Sequence, residues 1–101
     1  MKRYISLAFF FCSCAMALNI APKKTDLPEV TKKAPGATYE QLTEGYHQYK
    51  VSCAACHSLY DPHKFTMDEW DKILIAMFIK AKIYDSAAQK AISIYVHAYS
   101  R

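Results

Sequence analysis

Glycine is scarce in this chain. Its 101 residues include two, Gly36 and Gly45. No Asn-Gly or Asp-Gly turn separates alternating apolar runs, so hairpin chemistry is missing and a β-rich fold is not expected. Charge of one sign is also weak. The formal net charge is +4, from 13 basic and 9 acidic residues, and it falls to +2 without Lys2 and Arg3. That excess is too mild to argue for nucleic acid. No acid–base pair, phosphate-cradling loop or nucleophile constellation is present, so ordinary enzymology is not expected. Nor does the N-terminal apolar run reach the ~20 residues that a bilayer crossing needs.

That run nevertheless has a meaning. Met1-Lys2-Arg3 is a basic start, Tyr4 to Met16 is rich in Phe, Leu and Ala, and Ala15-Met16-Ala17 is a small-x-small cleavage pattern. Residues 1–17 read as a secretory signal cut after Ala17, which places the mature chain in the periplasm. Two alternatives attach the chain to a membrane: an uncleaved anchor reaching through Ile20 and Ala21, or acylation at Cys14, a pattern that Phe11 and Cys12 fit poorly. Cleavage after Ala17 discards Cys12 and Cys14. The mature chain then keeps only Cys53 and Cys56, which is no disulfide framework.

Residues 18–37 hold Pro22, Pro28 and Pro35 with Lys23-Lys24 and Lys32-Lys33 and show no apolar period, so they read as a linker or disordered arm. Order is expected to begin at Thr38. Thr38 and Gln41 form a capping box, and Leu42, Gly45, Tyr46, Tyr49 and Val51 continue one helical face to about Lys50. Thr66 and Glu69 form a second box. It opens a periodic segment in which Met67, Trp70, Ile73, Leu74, Met77, Phe78 and Ala81 share a face. A last helix starts near Asp85 or Ser86 with Gln89 placed to cap, and carries Ala88, Ile92, Tyr95, Val96 and Tyr99 on one side. The expectation is an all-α domain over residues 38–101 with three main helices. Three short helices make a small core, and domains of this size commonly need a staple, a metal or a prosthetic group.

Cys53-Ala54-Ala55-Cys56-His57 supplies the candidate. Cys-x-x-Cys-His is the attachment sequence for c-type haem. Two thiols three residues apart on a helical turn reach the two vinyl groups of one porphyrin edge, and the adjacent imidazole swings under the iron. Competing uses of these residues are weaker. A thioredoxin-like redox pair follows a strand, and no strand pattern precedes Cys53. Structural zinc needs two further ligands, and His57 with His63 is an unsupported set. A plain Cys53–Cys56 disulfide leaves His57 without a role.

With this motif, Gly45 and Tyr49 before it and an aromatic at Tyr95 in a terminal helix, residues 38–101 resemble the class I monohaem c-type cytochromes. The resemblance implies a small cytochrome c-like fold around one covalent haem c, with Gly45 and Tyr49 crossing the last helix at Tyr95. It also implies a monomeric electron carrier that docks to redox proteins, and no enzyme. Thr66, Glu69 and Trp70 followed by Met77 are similar to haem domains in which that methionine is the second axial ligand, so the implied iron ligands are His57 and Met77. Met77 also lies on the apolar face of its own helix, where a core methionine is an ordinary occupant. Met67, His63, His47 and His97 remain alternatives for the sixth position. A thioether raises the potential and a second imidazole lowers it. An open sixth position would instead suit a ligand sensor or a small haem subunit of an oxidoreductase complex.

Lys64, Lys72, Lys80, Lys82 and Lys90 are placed either to steer an acidic partner or simply to solvate the surface. Trp70 and the tyrosines Tyr60, Tyr84, Tyr95 and Tyr99 are candidates for electron relay or for packing.

Overall fold

The computed structural model describes residues 20–53 and 59–101, with the backbone alone described at Cys53. The proposed signal segment, with Cys12, Cys14 and Met16, lies outside these residues, as do Cys56 and His57. The described residues form four α-helices and no strand: α1 (Leu27–Val30), α2 (Tyr39–Cys53), α3 (Met67–Lys80) and α4 (Ser86–Ala98). Short 3-10 turns cover Lys24–Asp26 and Pro62–Lys64. The all-α expectation therefore holds.

Local chemistry starts each long helix. The Thr38 hydroxyl accepts from the Gln41 amide at 3.1 Å, and the Gln41 side chain accepts from the Thr38 amide at 3.0 Å. Thr66 and Glu69 repeat the reciprocal pair at 3.2 and 2.9 Å, so both boxes satisfy amides that a helix start leaves open. At α4 the capping residue is Asp85, which accepts from the Ala88 amide at 3.1 Å. Gln89, expected to cap, donates instead to the Ile83 carbonyl at 2.8 Å. The shorter Asp side chain reaches the third amide, which frees Gln89 to pin the preceding turn.

That turn closes α3. Ile83 N–H donates to the Phe78 carbonyl at 2.9 Å and Lys82 N–H to that of Ile79 at 3.2 Å, the paired bonds of a Schellman ending. Lys82 takes the left-handed position at φ 58°, where glycine would be unstrained. Ile83 turns inward and is buried.

α4 packs on both α2 and α3, most extensively on α2. The α2–α4 crossing is centred on Gly45. A Cβ at that position would overlap the Ala91 carbonyl oxygen and lie 2.6 Å from the Tyr95 Cβ. Without one, the helices close until the Tyr49 and Tyr95 rings are 5.6 Å apart. The contact implied for Gly45, Tyr49 and Tyr95 is thus present. Tyr49, Trp70, Leu74, Ile83, Ile92, Tyr95 and Val96 form the main core, with Met77, Ile73, Phe78, Ala88 and Tyr99 packed against it. Val51, expected on the buried face, is 60% exposed. It falls two residues past Tyr49, on the other side of the helix.

The Lys- and Pro-rich segment corrects the reading of a disordered arm, because residues 20–37 are folded onto the helices. Val30 joins Leu42 and Ala98 in a second core cluster, with Leu27, Ala34 and Ala37 around it. Three long-range bonds fix the segment. Tyr95 donates to the Ile20 carbonyl at 2.6 Å, Tyr99 to the Asp26 carboxylate at 2.6 Å, and Lys33 Nζ to the Ser100 carbonyl at 2.6 Å. A few apolar contacts suffice here since the polar groups of α4 and the C-terminus supply the remaining partners.

Candidate haem site

α2 runs to Cys53, about three residues past its expected end, so the first cysteine of the motif is the last residue of a helix. Residues 54–58 lie outside the described set. The chain on either side of them is tied to one aromatic cluster. Tyr49, one turn before Cys53 and fully buried, donates from its hydroxyl to the Tyr60 carbonyl at 2.7 Å. The indole Nε1–H of Trp70, also fully buried, donates to the Pro62 carbonyl at 2.8 Å. Asp61 caps the Pro62–Lys64 turn by accepting from the His63 amide at 3.0 Å. Rings continue the wall: Tyr60 to Phe65 at 5.4 Å, Phe65 to Trp70 at 5.3 Å, and Trp70 to Tyr49 at 6.0 Å, each close to edge-on. The amphipathic bodies of Tyr and Trp explain both roles, apolar packing by the ring and a backbone anchor by the polar end.

Met77 sits in the last turn of α3, half-buried, against the same cluster that contains Tyr49 and Trp70. Its carbonyl accepts from the Ala81 amide at 2.8 Å, so the backbone there is regular helix end. Met67 is the first residue of α3 and also half-buried. His47 and His63 are exposed. His97 Nε2 pairs with Asp71 Oδ1 at 2.7 Å, joining α4 to α3, which occupies that nitrogen. Of the described candidates for a sixth ligand, Met77 shares the core cluster with the residue one turn before Cys53, whereas His47 and His63 face solvent.

In the sequence, Cys56 and His57 follow Cys53, the last residue of α2; the described chain flanking them is held by buried aromatics, and the Met77 thioether packs on the same apolar cluster, a donor set of the chemistry that haem c takes. Lys64 adds a cation over the Tyr60 and Phe65 rings, at 5.4 and 5.8 Å from their centroids. Lys72, Lys80, Lys82 and Lys90 are all exposed.

The remaining electrostatics are those of buried phenols. Burial, then the neighbouring Tyr49 and Tyr46, pushes the Tyr95 hydroxyl far above its ordinary range. Burial and then the hydrogen bond to Asp26 push Tyr99 up as well. Both remain neutral donors across the physiological range. Glu69 is held below its ordinary value of 4.5, chiefly by the Thr66 amide it accepts from.

The anchoring roles of Tyr49 and Trp70 and the Tyr99–Asp26 pair are not readable from spacing. One general signal points to them: a buried Tyr or Trp needs a polar partner, and three such residues lie on apolar faces of α2, α3 and α4. Among the described residues, no group of three or more His, Cys, Asp or Glu is placed to hold a metal ion, and no helix is long and apolar enough to cross a membrane. Comparison with protein families, with curated proteins and with solved structures finds no match to this chain.

Proposed function

We propose that the chain is a monohaem c-type cytochrome of the periplasm that passes single electrons between redox proteins and makes no bond to a substrate. The observation that carries this reading is where the motif falls. Cys53-Ala54-Ala55-Cys56-His57 starts on the last residue of α2, and the chain after it is bonded back to Tyr49 and Trp70 in the cluster that includes Met77. In this reading Cys53 and Cys56 would hold the haem c by thioethers, and His57 and Met77 would ligate its iron. The bound group supplies one-electron ferrous–ferric cycling.

The chain's own residues do the rest. Tyr49, Phe65 and Trp70 present apolar faces that exclude water. The Tyr49–Tyr60 and Trp70–Pro62 bonds fix the exit of the attachment loop. The Gly45 crossing locks α2, which carries Cys53, on α4. Exposed lysines steer acidic redox partners at low salt. Membrane attachment would come only from an uncleaved N-terminal segment or a lipid at Cys14.

A second reading, a ligand sensor or a small haem subunit with an open sixth position, draws on the helical setting of Met77, which gives it less freedom than a loop would. Optical spectra of the exported protein, made in a host with haem-attachment machinery, separate the two. A sulfur-to-iron band in the far red that disappears in Met77→Ala supports the electron carrier. A high-spin spectrum that shifts readily with carbon monoxide or cyanide supports the sensor, and a protein without haem contradicts both.

A further inference from the structure

The outer side of α3 keeps an apolar strip. Ile75 and Ile79, one helical turn apart, are 66% and 64% exposed; single exposed aliphatics are ordinary, whereas two large ones side by side mark a contact surface. At 3.6 residues per turn they stand about 160° round the helix from Met77, so they face away from the core and from the cluster that holds that thioether. The charges on α3 are sorted by sign. Asp68, Glu69 and Asp71 lie in its first turns, whereas from Lys72 to Tyr84 the chain carries Lys72, Lys80 and Lys82 and no acid. Asp68, two turns before Ile75 on the same face, and Lys82, in the turn that follows α3, are both exposed, and among the described residues neither is in an ion pair. Glu69 and Asp71 are already engaged by Arg101 and His97, and Lys72 is offset by the acids three and four residues before it.

A helix face with acid at one end, base at the other and aliphatics between is complementary to itself when turned end for end. We propose that this face is the contact of a two-fold dimer, in which the α3 helices of two copies pack antiparallel across Ile75 and Ile79, with Asp68 of each copy against Lys82 of the other. Ile75 is seven residues from Asp68 and seven from Lys82, so an axis at Ile75 brings both charge pairs together at once, as an isologous contact requires. Ile79 then packs on the second copy's Ile75 and on the methylene stem of its Lys72. The order of charge selects this occupant: an anionic membrane surface, or a uniformly acidic protein lying along α3, would meet Asp68 and Asp71 at one end. The area limits the strength. α3 has 14 residues, about 21 Å of helix, and a single seam of that length buries less than the ~1,200 Å² at which stable interfaces begin. The chain is therefore a monomer when dilute, as the cytochrome resemblance implies, and a dimer when concentrated. This inference goes beyond the haem reading and does not rest on it.

Sedimentation equilibrium of the purified mature chain at low salt, from about 10 μM to about 1 mM, covers the affinities expected of so small a contact. The wild type should pass from monomer to dimer across that range, and added salt should weaken the association. Asp68→Lys and Lys82→Glu each set like charges at both ends of the pair, so each variant alone should associate at least about tenfold more weakly. An equimolar mixture of the two variants has opposite charges at both ends again, and its association should return toward that of the wild type. Ile75→Lys should abolish the dimer and leave the melting of the dilute protein unchanged, because that side chain is exposed. A chain that stays monomeric to about 1 mM, a dimer that Ile75→Lys leaves intact, or a mixture that associates no better than its components overturns the proposal. A monomer that sediments with phosphatidylglycerol vesicles, and loses that binding in Ile75→Lys, also overturns it and assigns the strip to a membrane surface. A protein without haem that dimerises in this way overturns the electron-carrier reading and leaves the dimer standing.

Discussion

Gly45→Ala adds one methyl at the point where α2 and α4 are closest. The added carbon overlaps the Ala91 carbonyl oxygen and lies 2.6 Å from the Tyr95 Cβ. Both obstacles are backbone or the first side-chain atom, so no rotamer change relieves them and the helices must part. On an open helix surface the change would stabilise by about 1 kcal/mol through propensity. Overpacking of a tight core costs about 1–3 kcal/mol, and a backbone obstacle argues for the upper end. The net expectation is a loss of about 2 kcal/mol, which in a domain of this size lowers the melting temperature by about 8–16 °C. Far-UV circular dichroism of the mature protein and its variant measures this directly. Gly36→Ala is the comparison. Gly36 has φ +81° and nothing within 4 Å of an added Cβ, so its cost of about 1 kcal/mol comes from the backbone conformation alone. A Gly45→Ala protein that melts at or above the wild type would refute the close crossing.

Other outcomes follow from the same contacts. Lys82→Gly relieves the left-handed strain at the end of α3 and should stabilise by about 0.5–1 kcal/mol in urea unfolding, after the added chain entropy is offset. Trp70→Phe leaves the buried Pro62 carbonyl without its indole donor, an expected loss of about 1–3 kcal/mol. Thr66→Ala removes one arm of the α3 cap and should cost about 1 kcal/mol in the same assay. Glu69 titrates lower in the folded chain than its ordinary 4.5. Its contribution is therefore present above that value and fades as pH falls through the lower folded-state pKa. Glu69 is exposed, so the effect is small and weakened by salt. Melting followed across that acid range should show a drop in the wild type that Glu69→Gln reduces.

The parts of the fold that were legible in the sequence are those written in short-range chemistry. Thr38 with Gln41 and Thr66 with Glu69 announce two helix starts at three-residue spacing. The recurrence of Trp70, Leu74, Ile92, Tyr95 and Val96 places the core. The segment over residues 20–37 was not legible, because what orders it comes from Tyr95, Tyr99 and Ser100 at the other end of the chain. Gln89 and Asp85 show a finer limit. Both side chains can serve a helix start, and the choice depended on a carbonyl at Ile83 whose direction is set by the turn after α3. At the candidate site the motif itself carries the chemistry. The way Tyr49 and Trp70 hold its exit depends on where Tyr60 and Pro62 return in space, which sequence spacing does not encode.

The most direct test of the account is the intact mass of the mature protein purified after export with haem-attachment machinery, followed by peptide mapping. The account predicts a mass increased by one haem, on the peptide containing Cys53 and Cys56, and lost when both are replaced by Ala. A haem-free chain, with those cysteines present as thiols or as a disulfide, would contradict it.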